Sequence, residues 1–161
     1  MSKKVLFSCV MIVLMSIVIC GKSYAKKTAD KSKWVKINLS VEGVNLLMTV
    51  PEGAKAVSTS YSFTVQKGEN FQIEIHNSKA DLQEIKKELK ANTVNKLKTI
   101  AVDSPVALLY SSDTGFGEEW HFIAAMKIGD TDYYCEDVKG ATYKKEDAEI
   151  MLKAAQSLAK K

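Results

Sequence analysis

Residues 120–138 read Trp120-His121-Phe122-Ile123-Ala124-Ala125-Met126-Lys127-Ile128-Gly129-Asp130-Thr131-Asp132-Tyr133-Tyr134-Cys135-Glu136-Asp137-Val138. Two runs rich in aromatic and apolar residues flank Gly129-Asp130-Thr131-Asp132, the pattern of a β-hairpin closed by a tight turn. A two-residue turn at Asp130-Thr131 would set Cys135 opposite Met126. Cys135 then shares a face with Trp120, Phe122, Ala124 and Ile128, and His121 points to the other side. That geometry argues for a buried structural thiol and against a Cys135–His121 nucleophile pair.

Upstream of the hairpin, Val35, Ile37, Leu39 and Val41 alternate with polar residues, and Leu46, Met48 and Val50 do the same until Pro51-Glu52-Gly53 stops the run. Ala54 to Ser60 is expected to be a small-residue connection. Tyr61, Phe63 and Val65, then Phe71, Ile73 and Ile75, alternate on either side of Lys67-Gly68-Glu69-Asn70 and predict a second hairpin. Ser78-x-x-Asp81 is a candidate capping box. Leu82, Ile85, Leu89 and Leu97 then recur at helical spacing, which predicts a helix over about 79–98. Thr99 to Ser111 is strand-like with a break at Ser104-Pro105, and Val106 to Tyr110, apolar on both faces, suits the middle of a sheet. Ala148, Met151, Leu152, Ala155, Leu158 and Ala159 form one stripe of a last helix over about 145–160.

These elements predict an α+β domain: a single antiparallel sheet with two long helices packed against it. The Val50-Pro51-Glu52-Gly53 stretch, the strand-helix-strand middle, the closing hairpin and the C-terminal helix Glu146 to Leu158 together resemble the PsbP-like α+β fold. That resemblance rests on element order. It implies an accessory or binding part rather than a catalyst, and it carries no functional residue over to this chain.

The 161 residues suffice for one packed domain. Lys3 and Lys4, the apolar run Val5 to Cys20, and Ser23-Tyr24-Ala25 make residues 1–25 a secretory signal peptide cleaved after Ala25. The expected organisation is therefore signal 1–25, a basic tether 26–33 and one domain 34–161, periplasmic or secreted, with no membrane span after cleavage. Ile17-Val18-Ile19-Cys20 offers the alternative of a lipoprotein anchored at Cys20, although Ile19 stands where a small residue belongs. All 23 basic residues are lysine, so recognition by an arginine fork is excluded. Losing Lys3, Lys4 and Lys22 with the signal leaves 20 basic against 19 acidic groups, and the surplus sits in residues 26–36. The domain lacks the concentrated basic face of a nucleic-acid binder. Cleavage also removes Cys9 and Cys20, leaving Cys135 without an intramolecular disulfide partner.

Several chemistries can be weighed from local patterns. Asp113-Thr114-Gly115 has the letters of an aspartic protease loop, but Ser111 and Ser112 before it and Phe116 after it argue for a glycine turn. Glu74-Ile75-His76 and Glu119-Trp120-His121 each put a carboxylate and an imidazole on one strand face. Neighbouring strands could join them around a zinc-like ion; solvated polar faces are the expected case, so neither a metal nor a cofactor is assigned. No catalytic residue is assigned, because the hydrolase, metalloprotease and phosphate-loop signatures are absent. The expected binding surface is Asp113, Phe116, Glu118, Glu119, Trp120 and His121, a glycine-flanked aromatic tip beside an acidic and aromatic strand end. The expected function is an exported binding or accessory domain of the cell envelope that takes a protein partner or a small ligand. A hydrolase without a recognisable motif, or a lipid-anchored structural protein, is the alternative.

Overall fold

The computed structural model describes residues 33–41, 43–58 and 63–161. The expected signal peptide with its cleavage site after Ala25, Cys20 and the expected tether as far as Ser32 lie outside the described residues, as does Tyr61.

Antiparallel pairing organises everything described. β1 (Trp34–Val41) and β2 (Val44–Pro51) pair antiparallel in a register that sets Leu39 opposite Leu46 and Ile37 opposite Met48. Alternation therefore sends Leu39, Leu46, Met48 and Val50 to one side, where each is buried. Seven further strands form a second sheet. β3 (Lys55–Ser58), β4 (Phe63–Gln66), β5 (Gln72–His76), β6 (Lys96–Asp103), β7 (Ala107–Asp113), β8 (Glu118–Ile128) and β9 (Thr131–Asp137) lie in the order β3-β4-β5-β9-β8-β7-β6. The two helices are α1 (Leu82–Ala91) and α2 (Lys145–Ala155), and β10 (Ala159–Lys160) adds to β2.

This architecture overturns the expected single sheet with two long helices. Strand predominates, in two sheets of three and seven strands, and the helices are only ten and eleven residues long. The α+β, PsbP-like description gives way to a mostly β one. The first helix ends early because the Asn92 side chain accepts the Val94 and Asn95 amides, each at 2.9 Å, and closes a turn that releases the chain into β6. Leu97, expected in the helix, is a strand residue. At the other end Asp81 caps the helix, accepting from Gln83 and Glu84, so Ser78 is not the cap. The C-terminal helix ends at Ala155. Ser157 Oγ bonds back to Ala154 O at 2.6 Å and accepts the Thr49 amide at 2.8 Å, tying the helix end to β2 before the chain resumes as β10.

The seven-stranded sheet has two unlike faces. One carries Val65, Ile73, Ile75, Leu109, Phe122, Ala124, Tyr133 and Cys135 into the main core, which Met151, Ala148 and Ala155 of α2 and the buried side of β2 complete. Each large side chain fully buried here contributes about 2 kcal/mol. Small residues on α2 let it approach closely, and Lys153 Nζ sits 4.6 Å from the centre of the Trp34 ring. The opposite face buries Leu108, Ile123 and, from α1, Leu82 as a smaller cluster, with Tyr110 and Tyr134 at its margin. The remainder of that face is polar.

The hairpin of residues 120–138 turns at Gly129-Asp130, with Ile128 opposite Thr131. Gly129 takes the positive φ of 64° that such a turn needs at its first position. Cys135 consequently faces Ala124 rather than Met126, a shift of two residues that preserves the side on which it points. Among the described residues it is the free cysteine, fully buried, and burial pushes its thiol up to about 12. We expect native protein to react with a thiol reagent only as fast as it unfolds; rapid stoichiometric labelling without denaturant would contradict this packing.

Candidate functional site

The β8–β9 ladder runs from Ile128–Thr131 to Ile123–Glu136 and stops there. Beyond that point the Phe122 amide donates to Asp137 Oδ1 at 2.8 Å, and the Trp120 amide donates to Tyr143 O at 3.0 Å. A side-chain carboxylate thus stands where the next strand carbonyl would have been. The other oxygen, Asp137 Oδ2, lies 2.8 Å from His121 Nδ1. Because an ionised carboxylate only accepts, it fixes Nδ1 as the protonated nitrogen and leaves Nε2 as the atom His121 can offer elsewhere.

Asp137 is 6% exposed, and both of its oxygens hold donors. Such a buried charge is tolerated only because it is hydrogen-bonded and paired. On its own, burial would lower the pKa of His121. The hydrogen bond to Asp137, the charge of Asp137 and the charge of Glu119 outweigh it and raise that pKa above the ordinary 6.5. Tyr110, opposite His121 in the β7–β8 register, packs its ring 5.2 Å from the imidazole. Burial, with the charges of Asp137 and Glu136, raises the Tyr110 pKa, so its hydroxyl stays protonated across the physiological range.

Where β8 and β9 part, a cleft of about 410 Å³ opens between this polar face and the C-terminal end of α1. Tyr110, Glu119, His121, Glu136 and Asp137 line its sheet side, and Leu89, Asn92 and Asn95 its helix side. Carboxylates outnumber the cations, since Lys139 and His121 face Glu119, Glu136 and Asp137. The cleft is suited to hydrogen-bond donors or positive charge from a ligand.

The six residues expected to form a binding surface do not come together. Glu119 and His121 line the cleft. Trp120, next between them, alternates to the opposite face, packs on the main core and carries Lys145 Nζ 5.2 Å from its ring centre. Asp113 ends β7 and organises a turn, accepting the Gly115 amide at 2.9 Å and pairing with Lys98 at 3.1 Å; these contacts hold its carboxyl below its usual range. Glu118 is exposed opposite Asp113. Phe116, beyond Gly115 with its φ of 83°, is fully exposed at the loop tip.

Asp137, Tyr110 and Glu136 also belong to the site, and no local pattern singles out Tyr110 or Glu136. Asp137 does carry a signal. In Tyr133-Tyr134-Cys135-Glu136-Asp137 it has the same parity as Tyr133 and Cys135, and an acid on the core side of a strand requires a buried partner. The two E-x-H patterns lie on β5 and β8, which β9 separates, so they do not meet directly.

Among the described residues no helix is long and apolar enough to cross a membrane. No family model matches the chain, and neither a curated protein nor a solved structure does.

The raised His121 pKa has a definite consequence for stability. The folded state binds this proton more tightly than the unfolded chain, so the contribution is fully present below about pH 6.5 and is lost as pH rises through the folded pKa. We expect an NMR titration to place the His121 ring above 6.5, and Asp137→Asn to bring it down by removing the facing charge while burial persists. An unchanged titration in Asp137→Asn would show that the pair does not set the imidazole's charge.

Proposed function

We propose that the chain is an exported binding module of the cell envelope, and that the cleft beside the β8–β9 fork takes a small ligand bearing hydrogen-bond donors or a positive charge. Export rests on the Lys3-Lys4, apolar and Ser23-Tyr24-Ala25 pattern. The observation that carries the binding reading is the His121–Asp137 pair held in the wall of the 410 Å³ cleft. That volume falls in the range of roughly 300–1,000 Å³ typical of small-molecule sites. Its polar groups are preorganised: Asp137 orients His121, Thr142 Oγ1 donates to Glu119 Oε1 at 3.1 Å, and Tyr110 braces the imidazole. A ligand would meet groups whose ordering cost folding has already met.

The complete exposure of Phe116 favours a second reading, a protein partner docked at the loop tip. Nothing in the core depends on that ring, and an exposed aromatic beside a polar rim is a typical interface anchor. The two readings rest on different groups, the cleft wall and the loop tip, and can be separated.

Titration of 15N-labelled protein with small amines, amino acids and sugars tests the first reading. The expected result is a cluster of shifts at Tyr110, Glu119, His121 and Asn92, with affinity at least about tenfold weaker in His121→Ala, the loss of one charge-assisted hydrogen bond. Shifts elsewhere, or none from any of these classes, would refute it. Conversion of a bound compound would turn the reading towards acid–base chemistry by the His–Asp pair and the hydrolase alternative. For the second reading, Phe116→Ala should weaken capture of an envelope protein by about 1–2 kcal/mol without moving Tm.

A further inference from the structure

The polar face of the large sheet carries a second constellation, next to the cleft but centred on a different pair of strands. β5 and β9 pair so that Glu74 lies directly opposite Glu136, and His76 opposite Tyr134. Two carboxylates facing each other across neighbouring strands repel, and positive charge close by relieves that repulsion. Lys139 is the ammonium near them, 3.8 Å from Glu136 Oε1 on a side chain that is 85% exposed. A cation so solvated screens the pair weakly.

His76 completes the group. Its ring stacks on Tyr134 with centroids 4.3 Å apart and planes 10° from parallel, which fixes its orientation. Nε2 is buried and makes no hydrogen bond, although Glu136 Oε1 lies 3.2 Å away. That approach without a hydrogen bond leaves Nε2 unsatisfied beside two acids. One donor atom each from Glu74, His76 and Glu136 lies within 4.8 Å of the other two. Ligands about 2.0–2.1 Å from a tetrahedral Zn²⁺ stand about 3.3 Å apart, so the His76–Glu136 separation already matches one edge of such a site.

We propose that Glu74, His76 and Glu136 bind a first-row divalent transition cation, Zn²⁺ being the ion their geometry and donor set fit best. One imidazole nitrogen and two carboxylate oxygens favour Zn²⁺ over Mn²⁺ by the general affinity order, and over Ca²⁺ or Mg²⁺, which take oxygen ligands almost exclusively. Three protein ligands leave a coordination position open to water or to an external ligand. The ion would neutralise the opposed carboxylates, satisfy Nε2 and clip β5 to β9. This inference does not rest on the cleft reading: Glu74 and His76 are outside the cleft lining, and Glu136 is the residue the two sites share.

The test is calorimetric titration of the protein with ZnCl₂, paired with NMR of the histidine rings. The expected result is a site that perturbs the His76 ring first and is weakened at least about tenfold in both His76→Ala and Glu74→Gln, as loss of a ligand should do at minimum. Zinc should also raise the Tm of the wild type and not that of His76→Ala. Thermal melts of the metal-free variants confirm that each is folded before its affinity is read. Absence of zinc binding, or binding that is unchanged in folded His76→Ala, would overturn the site. Neither outcome depends on whether the cleft takes a small molecule, which the shifts at Tyr110 and Asn92 report separately.

Discussion

One buried carboxylate holds the polar half of this molecule in place. β8 and β9 are neighbours through six residue pairs and then separate, and at the point of separation an unpaired Phe122 amide would be left in a buried setting. Such an orphan costs about 1–3 kcal/mol. Asp137 removes that penalty by accepting the amide, and its second oxygen takes the His121 imidazole. The fork can therefore stay open without an unsatisfied backbone group, and the opening is the cleft. Val138, continuing from Asp137, donates to Gln72 O, so β9 follows β5 while β8 turns towards Tyr143.

The asymmetry of the two sheet faces follows from alternation along the same strands. Phe122, Ala124, Tyr133 and Cys135 go to the side closed by α2 and β2, where apolar burial supplies most of the stabilisation. His121, Ile123, Tyr134 and Glu136 go to the side that α1 covers only in part. Ten helical residues cannot roof seven strands, so the uncovered region has to be polar. In it lie the His121–Asp137 pair and the Glu74–His76–Glu136 group, both built on strands and both supported from behind by a packed core. Sites carried on strands keep their geometry better than sites carried on loops.

Local periodicity makes most of the elements legible in the residues themselves. The β1–β2 pair follows from apolar residues that recur at every second position, and the hairpin of 120–138 and the burial of Cys135 from two apolar, aromatic runs flanking a Gly-Asp turn. What local patterns do not reach is set by contacts distant in sequence. β3 leaves no signature because all four of its residues are exposed and it edges the sheet, so burial imposes no pattern on it. The helix expected to run through Leu97 is too long because Leu82, Ile85, Leu89 and Leu97 share a helical period, while the signal that stops the helix is one side-chain oxygen on Asn92. The pattern points to one sheet where there are two because strand pairing across the chain leaves no mark in adjacent residues; β10 joins β2 across more than a hundred residues. Glu119 and His121 stand out in the sequence, but in company with Trp120 and Phe116, which the pleat and the loop carry elsewhere. Asp137 is visible there only as an acid with core parity, and its role depends on where the two strands part.

The fork stands on the bond between the Asp137 carboxylate and the Phe122 amide, and amide hydrogen exchange reads that bond directly. Phe122 lies past the end of the β8–β9 ladder. If the carboxylate replaces the missing strand carbonyl, its amide should exchange as slowly as those of Ile123 and Ala124 inside the ladder, opening only with the core. An exchange rate for Phe122 like that of exposed loop amides such as Phe116 would contradict it: the fork would be frayed, and the cleft would have no fixed wall.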